Sequence, residues 1–243
     1  MTTLRERLFD LSSLVYKPQV EQRPVNTVRV CAISDLHLKF KQLSIPKCDV
    51  LVIAGDITNV GDYKDVSDFN IWAHMLQERG FVGQVVCIAG NHDITAQTDP
   101  ETFKYLLPDV TYLNEESVRA KGLLIYGTPW SPQFGRGWAF NAERGADIQK
   151  HWDKIPYNLD VLIVHGPPYG HNDMVEDHKG VMNEHVGCWN LRETILEKKP
   201  RVVVCGHIHE GYGMSLLGSS LILNAAVCNY RHQPVNPPLV IDL

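Results

Sequence analysis

Six apolar runs constrain what this chain can become: Val28 to Ile33, Val50 to Ala54, Val85 to Ala89, Leu123 to Tyr126, Val161 to Val164 and Val202 to Cys205. Each is the length of one strand, and several are nearly unbroken Val, Ile and Leu. A strand with one wet face alternates apolar with polar, so unbroken runs imply strands covered on both faces. Shorter runs follow at Ser220 to Asn224 and Leu239 to Ile241. Between them Val66, Phe69, Ala73 and Leu76 recur at three- and four-residue spacing, and a second helical segment runs through Trp189, Ile195 and Leu196. Trp72 and Trp189 fall at core-facing positions of these helices. Alternating strands and helices predict an α/β architecture with buried sheets.

A length of 243 residues and 44% hydrophobic content suit one large core, so one domain over 1–243 is expected, with residues 1–26 an extension of open packing. The tail "HQPVNPPLVIDL" starts irregular and ends in a last strand, so it should pack. No repeat or low-complexity tract interrupts the chain.

A net charge of -5 with scattered Lys and Arg provides no basic stripe for a nucleic-acid backbone, which argues against a polymer partner. Six cysteines, none in a CxxC pair, lie mostly within apolar runs and suit buried thiols in a reducing compartment. Charges interrupt the first residues, MTTLRERLFDLSS, and no apolar run approaches a membrane span. A soluble, cytoplasmic protein with no membrane partner is the expectation.

What ends the strands is less ordinary. "SDLH" follows the first run, "GDIT" the second, "GNHD" the third, "HGPP" the fifth and "GHIHEGYG" the sixth, each a Gly or Ser turn carrying Asp, Asn or His. Taken alone, Asp35 and His37 would read as a helix cap and a surface imidazole. As a strand pair two residues apart they would point the same way and meet one ligand just past the strand end. Carboxyl ends of strands in buried α/β sheets open onto the ligand crevice, so five dispersed loops can converge. Asp35, His37, Asp56, Asn91, His165, His207 and His209 are oxygen and imidazole donors without a thiolate. Seven are too many for one tetrahedral site, whereas two ions bridged by a carboxylate would use them all and clamp a phosphoryl group. The donor set leaves manganese, iron, zinc, cobalt and nickel open, with manganese the expectation.

In this order, Asp-x-His, Gly-Asp, Gly-Asn-His-Asp, His and Gly-His-x-His, the motifs resemble those of the calcineurin-like metallophosphoesterases from about Ile33 to Val227. "VHGPPYG", "GHIHEGYG" and "QPVNPPLVIDL" resemble the small metallophosphoesterase-domain proteins of animals, relatives of the class III cyclic nucleotide phosphodiesterases. The resemblance implies a four-layer sandwich of two mixed β-sheets flanked by helices. It assigns Asp35, His37 and His209 to one metal, Asn91, His165 and His207 to the other, and Asp56 as the bridge. His92 would face the substrate as general acid or oxyanion ligand. The implied activity is hydrolysis of phosphodiesters, including cyclic or linear nucleotides, by a metal-bridging hydroxide. Neither a nucleophile-elbow serine nor a catalytic cysteine competes with that route.

Departures narrow the branch. Where protein phosphatases carry Asp and Arg after the second motif, this chain has Asn59 and Val60, which removes their Arg clamp for phosphoprotein. Purple acid phosphatases place a metal-binding Tyr where Asn59 stands. Asn59 is expected to orient His92 through its side-chain carbonyl. Asp93 reads equally as a helix cap, a bond to its own loop, or a partner behind the ligands.

Substrate contacts come from "TPWSPQFGRGWAF", where Trp130, Phe134, Arg136 and Trp138 could stack a nucleobase and pair with phosphate, helped by Tyr212, or else roof the core or a dimer face. His171, His178 and His185 are read as a long solvated loop, and His74 and His151 as surface or satisfied histidines. Two rivals remain: a phosphoesterase-fold scaffold that binds a partner, and a DNA nuclease. Intact donors disfavour the scaffold, and acidic charge disfavours the nuclease.

Overall fold

A computed structural model describes residues 23–176 and 182–243. Most of the proposed N-terminal extension and His178 lie outside the described residues.

Two sheets form the frame. The first joins β1 (Arg29–Ile33), β2 (Cys48–Ala54), β3 (Val82–Ile88), β4 (Thr111–Tyr112) and β15 (Leu239–Asp242) in the order β15-β1-β2-β3-β4. Only β15 runs antiparallel. The second joins β5 (Glu116–Ala120), β6 (Leu123–Thr128), β9 (Val161–Val164), β12 (Val202–Cys205), β13 (Gly213–Leu217) and β14 (Ser220–Asn224) in the order β13-β14-β12-β9-β6-β5, with antiparallel edges. Two-stranded pieces are added by β7 (Ser131–Pro132) with β8 (Asn141–Ala142), and by the hairpin of β10 (Met174–Glu176) and β11 (Met182–His185).

Side chains alternate faces along a strand, which explains the unbroken runs. Val30, Ala32, Val50, Val52, Val86 and Ile88 meet Ile125, Val161, Ile163, Val202 and Val204 between the sheets. The alternate residues, Cys31, Ile33, Leu51, Ile53, Val85 and Cys87, face α1 (Tyr63–Glu78) with α2 (Ile94–Thr98) and α3 (Pro100–Tyr105). Leu162, Val164, Val203 and Cys205 face α4 (Ala146–Trp152) and α5 (Trp189–Lys198). Helix, sheet, sheet and helix therefore stack in four layers, as expected.

Helix α1 buries Val66, Phe69, Trp72, Ala73 and Leu76 at the spacing seen in the sequence. Phe69 and Trp72 meet Phe40 at 5.8 and 5.4 Å, an aromatic cluster whose truncation at Phe69 would cost about 3 to 5 kcal/mol. Trp189 departs from expectation, being 54% exposed. It is the first residue of α5, whose buried face is carried by Leu191, Thr194 and Ile195, so the helical stripe misses it. Arg192 instead lies over its ring, 5.0 Å from the centroid.

The carboxyl ends of the parallel strands are stitched together beyond the sheets. Ser34 N donates to Ala225 O at 2.8 Å and Val227 N to Ser34 O at 2.9 Å, while Gly206 N donates to His165 O at 2.9 Å. These bonds bring the ends of both sheets to one rim. His185 ends β11 opposite Met174 and His171 precedes β10, so a hairpin of paired strands stands where a solvated loop was expected. The buried Asp173 carboxylate organises it, accepting from Gly170 N, Gly187 N and His185 Nδ1.

Candidate metal centre

The first surprise is how the chain leaves its strands. Asp35, His37, Asp56 and His207 have φ of 56°, 40°, 51° and 67°, a left-handed conformation that costs a non-glycine residue on the order of 1 kcal/mol. Strand alternation therefore does not orient Asp35 and His37, contrary to expectation. β1 has ended at Ile33, and a left-handed turn delivers both. That turn is zipped to the next loop: Asp35 N donates to Gly55 O at 3.0 Å, His37 N to Asp56 O at 3.0 Å and Leu38 N to Ile57 O at 3.2 Å. Strain held at four candidate ligands by surrounding bonds is a feature of functional sites.

Two carboxylate-bearing groups of donors result, Asp35 with His37 and His209, and Asp56 with His165 and His207, beside an all-histidine set of His37, His92 and His232. In the first, His209 Nε2 lies 3.3 Å from Asp35 Oδ1 and 3.4 Å from His37 Nε2. In the second, His165 Nε2 lies 3.4 Å from Asp56 Oδ1 and 2.8 Å from Asn91 Oδ1. The other Asp56 oxygen, Oδ2, is 3.9 Å from His37 Nε2, so one carboxylate addresses both groups. All seven sequence-selected donors are thus brought together.

Glycine is required at two of the loops. A Cβ on Gly90 would sit 2.2 Å from Asp56 Oδ1, and one on Gly206 would sit 2.1 Å from Asp35 Oδ2. The space a side chain would take is filled by the carboxylates themselves.

The electrostatics call for positive charge between the donors. Burial opposes ionisation of Asp35, but its hydrogen bond and attraction to His209 outweigh this and hold the carboxyl at about 2. Burial likewise opposes ionisation of Asp56, yet His165 and His37 hold it well below the ordinary carboxylate range. Burial pulls His165 down, but Asp56, Asp35 and the Ala54 carbonyl outweigh it and raise the imidazole to about 9. His209 reaches about 8, with burial overcome chiefly by Asp35. For His37 and His207 burial wins, bringing both to about 4. His165 Nδ1 donates to Ala54 O at 2.8 Å, so the neutral ring aims its Nε2 lone pair at the oxygens of Asn91 and Asp56. Such converging acceptors need a proton or a cation among them, and the thiolate-free set fits a divalent ion.

His92 stands beside this centre, its ring 4.7 Å from that of His37, and its backbone N donates to Asp56 Oδ1 at 2.8 Å. Its Nδ1 donates to the backbone carbonyl of Asn59 at 2.8 Å. The expected side-chain carbonyl is not the acceptor. Any residue at this position supplies a main-chain oxygen, which is why the side-chain type misled.

Of the substrate candidates, Trp138 lies 4.5 Å from His92 and Phe134 lies 4.8 Å from His207, with Arg136 exposed between them. Trp130 does not join them. It stacks on His151 at 3.7 Å, meets Phe140 edge-on and packs against both helix-side cores, so the packing alternative describes it. Tyr212 packs on the inter-sheet core and donates to Pro237 O at 2.8 Å, which turns it to the C-terminal tail. His151 bonds Glu115, and His74 bonds Asp109 and Glu78, so both are satisfied histidines.

His232 was not foreseen at the centre, and for Asp93 the structure selects among the roles weighed from the sequence. His232, from the Pro-rich tail, stacks on His37 at 3.8 Å and 3° and lies 5.8 Å from His92. Nothing in "YRHQPVNPP" marks it, because only the return of the tail brings it there. Asp93 is fully buried and accepts from Ile57 N, Thr58 N, Thr58 Oγ1 and Gly90 N. Although it occupies the N-cap position of α2, its side chain makes no cap bond and instead ties "GDIT" to "GNHD".

Comparison with known proteins agrees with this geometry. The calcineurin-like phosphoesterase profile matches residues 28–211. The chain belongs to the calcineurin-like phosphoesterase family. Within it, the chain is 36% identical over 250 residues to metallophosphoesterase domain-containing protein 1 of Homo sapiens, spanning 93% of this chain and 74% of that protein. It is 33% identical over 249 residues to a UPF0046 protein of Caenorhabditis elegans, spanning 93% and 85%. A solved structure from Thermus thermophilus superposes with a TM-score of 0.54 at 14% identity over 82% of this chain and 88% of that one, a likeness of fold alone. Family membership and the converging donors together support a metal-dependent phosphoesterase. Among the described residues no helix is long and apolar enough to cross a membrane.

Proposed function

We propose that this calcineurin-like phosphoesterase hydrolyses phosphodiesters, nucleotides included, at a centre of two divalent ions, manganese foremost. The supporting observation is Asp56, whose two oxygens address the two donor groups at 3.4 and 3.9 Å. Bound ions would polarise the phosphoryl oxygens and bring water to ionise near neutral pH.

The chain's own residues do the rest. Asp56 would be the shared ligand, with Asp35, His37 and His209 holding one ion and Asn91, His165 and His207 the other. His92 donates Nδ1–H to Asn59 O, which fixes the ring and leaves Nε2 to carry a proton to the departing alkoxide. Trp138 beside His92 supports stacking of a nucleobase at the leaving side, with Arg136 on the same loop as a phosphate partner. Intact donors argue against a partner-binding scaffold. The net charge of -5 argues against a nucleic acid polymer, and six free, buried cysteines support a cytoplasmic setting.

The test is elemental analysis of the purified protein alongside turnover of a phosphodiester and its matching monoester with manganese added. Diester turnover abolished by chelation and restored by metal is expected. Full activity after exhaustive chelation would overturn the proposal, as would a preference for the monoester.

A further inference from the structure

Phe134 has ring contacts with both Trp138 and His207. Its ring lies 6.1 Å from Trp138, which continues to His92, and 4.8 Å from His207. Beside His207 a recess of about 400 Å³ opens between the loop at Pro132 and Phe134, the turn at Pro167, Val175 of β10 and Val186 just after β11. His207 and Phe134 line it, whereas His92, Trp138, His37 and His232 do not. The recess is therefore continuous with one donor group and separate from the proton-donating side.

Its wall is apolar by construction. Among the described lining residues Arg144 is the only Lys, Arg, Asp or Glu, and its Nη1 and Nη2 donate to Gly187 O at 2.8 Å and Val186 O at 2.6 Å. Both terminal nitrogens thus fasten the hairpin to the rim. A volume of this size, largely apolar and touching a reaction centre, suits the organic part of a small ligand.

A phosphodiester has two ester groups, and in-line displacement expels only one of them. The group that leaves must lie beside His92, because His92 protonates it. We propose that the recess beside His207 holds the other, retained ester group, and that it selects an apolar or aromatic one. This rests on the phosphodiesterase reading above and deepens it: a monoester whose single organic group lies on the leaving side beside His92 has nothing left to place there, so the recess is a source of preference for diesters.

The test keeps the leaving group constant. Bis(para-nitrophenyl) phosphate and methyl para-nitrophenyl phosphate both release para-nitrophenolate, but one retains an aryl group and the other a methyl. The wild type should favour the aryl diester through KM, and filling the recess with Val186→Trp, or independently Val175→Trp, should raise KM for it about tenfold while changing the methyl diester less than about twofold. Calorimetric binding of phenyl phosphate against methyl phosphate to the metal-loaded protein should show the same preference and the same loss. Equal effects on both diesters, or no aryl preference in turnover and binding, would overturn the inference. Binding that keeps the aryl preference while neither diester is hydrolysed would instead overturn the phosphodiesterase reading and leave the recess as a ligand site.

Discussion

Asp93 offers the sharpest quantitative test, because the carboxylate touches no candidate donor and yet ties together the loops that carry Asp56, Asn91 and His92. Four donors converge on it, Thr58 N and Thr58 Oγ1 on one oxygen at 2.9 and 2.8 Å, Gly90 N and Ile57 N on the other at 2.9 and 3.1 Å. At about 1.5 kcal/mol for each bond to an ionised acceptor, the four are worth about 6 kcal/mol before the charge is buried. Against this stands the cost of burying the charge. Burial, then Asp56, raise the carboxyl from 3.8 to about 6 although the bonds oppose them, a bias against ionisation worth about 3 kcal/mol. That net shift already contains the four bonds; Asp93→Ala leaves buried donors without partners, a destabilisation on the order of 3 kcal/mol and a large share of a typical domain's stability. Asp93→Asn keeps one oxygen and two of the bonds, turns its amide toward two N–H groups, and sheds the buried charge, so it should cost about 1 to 2 kcal/mol. Urea unfolding of metal-free protein, with the slope unchanged between variants, reads both values. A loss below about 1 kcal/mol for Asp93→Ala, or an Asn variant as damaged as the Ala variant, would refute the account of the four bonds.

Other outcomes follow from the same geometry. Asp56→Ala should empty both donor groups together in elemental analysis, whereas His92→Ala should keep its metal and lose about 10²-fold or more in turnover; normal metal content in the first would break the shared-ligand assignment. Trp130→Ala should lower unfolding stability by about 3 kcal/mol and change nucleotide and small-diester efficiencies alike, while Trp138→Ala should leave stability nearly unchanged and affect the nucleotide more. In metal-free protein, His165 at about 9 and His209 at about 8 both lie above the ordinary 6.5. A raised imidazole contributes stability that is complete below its unfolded value and lost as pH climbs through the folded one. The urea midpoint should accordingly fall from about pH 6.5 to about pH 9, with metal restoring more at the alkaline end because ligands must be unprotonated; a rising midpoint would contradict the sign. The six cysteines are all buried, with Cys228 raised to about 12 by burial first, so Ellman's reagent should find almost no thiol until the protein unfolds.

The four-layer stacking was implied only by the family resemblance, whereas the strands, their burial on both faces and the seven donors were legible in the sequence for one reason. Each is a local pattern repeated often enough to exclude accident: unbroken Val, Ile and Leu for a strand covered on both faces, and a Gly or Ser turn with Asp, Asn or His after each of five strands. Composition and spacing carry that information without knowledge of the partner. What the tertiary structure decided depends on which groups meet across the chain. Trp130 and Trp138 stand eight positions apart in one aromatic loop, and only the position of α4, whose His151 stacks on Trp130, separates the packing ring from the one beside His92. His232 enters because the tail folds back over His37, and Asp93 becomes a clamp because Thr58 and Ile57 present their donors to it. Even Asp35 and His37, identified from their spacing, reach the centre through left-handed turns that no strand periodicity encodes. Periodicity reports the face an element buries, whereas the neighbours across a loop cluster are set by long-range packing, for which one-dimensional order has no signal.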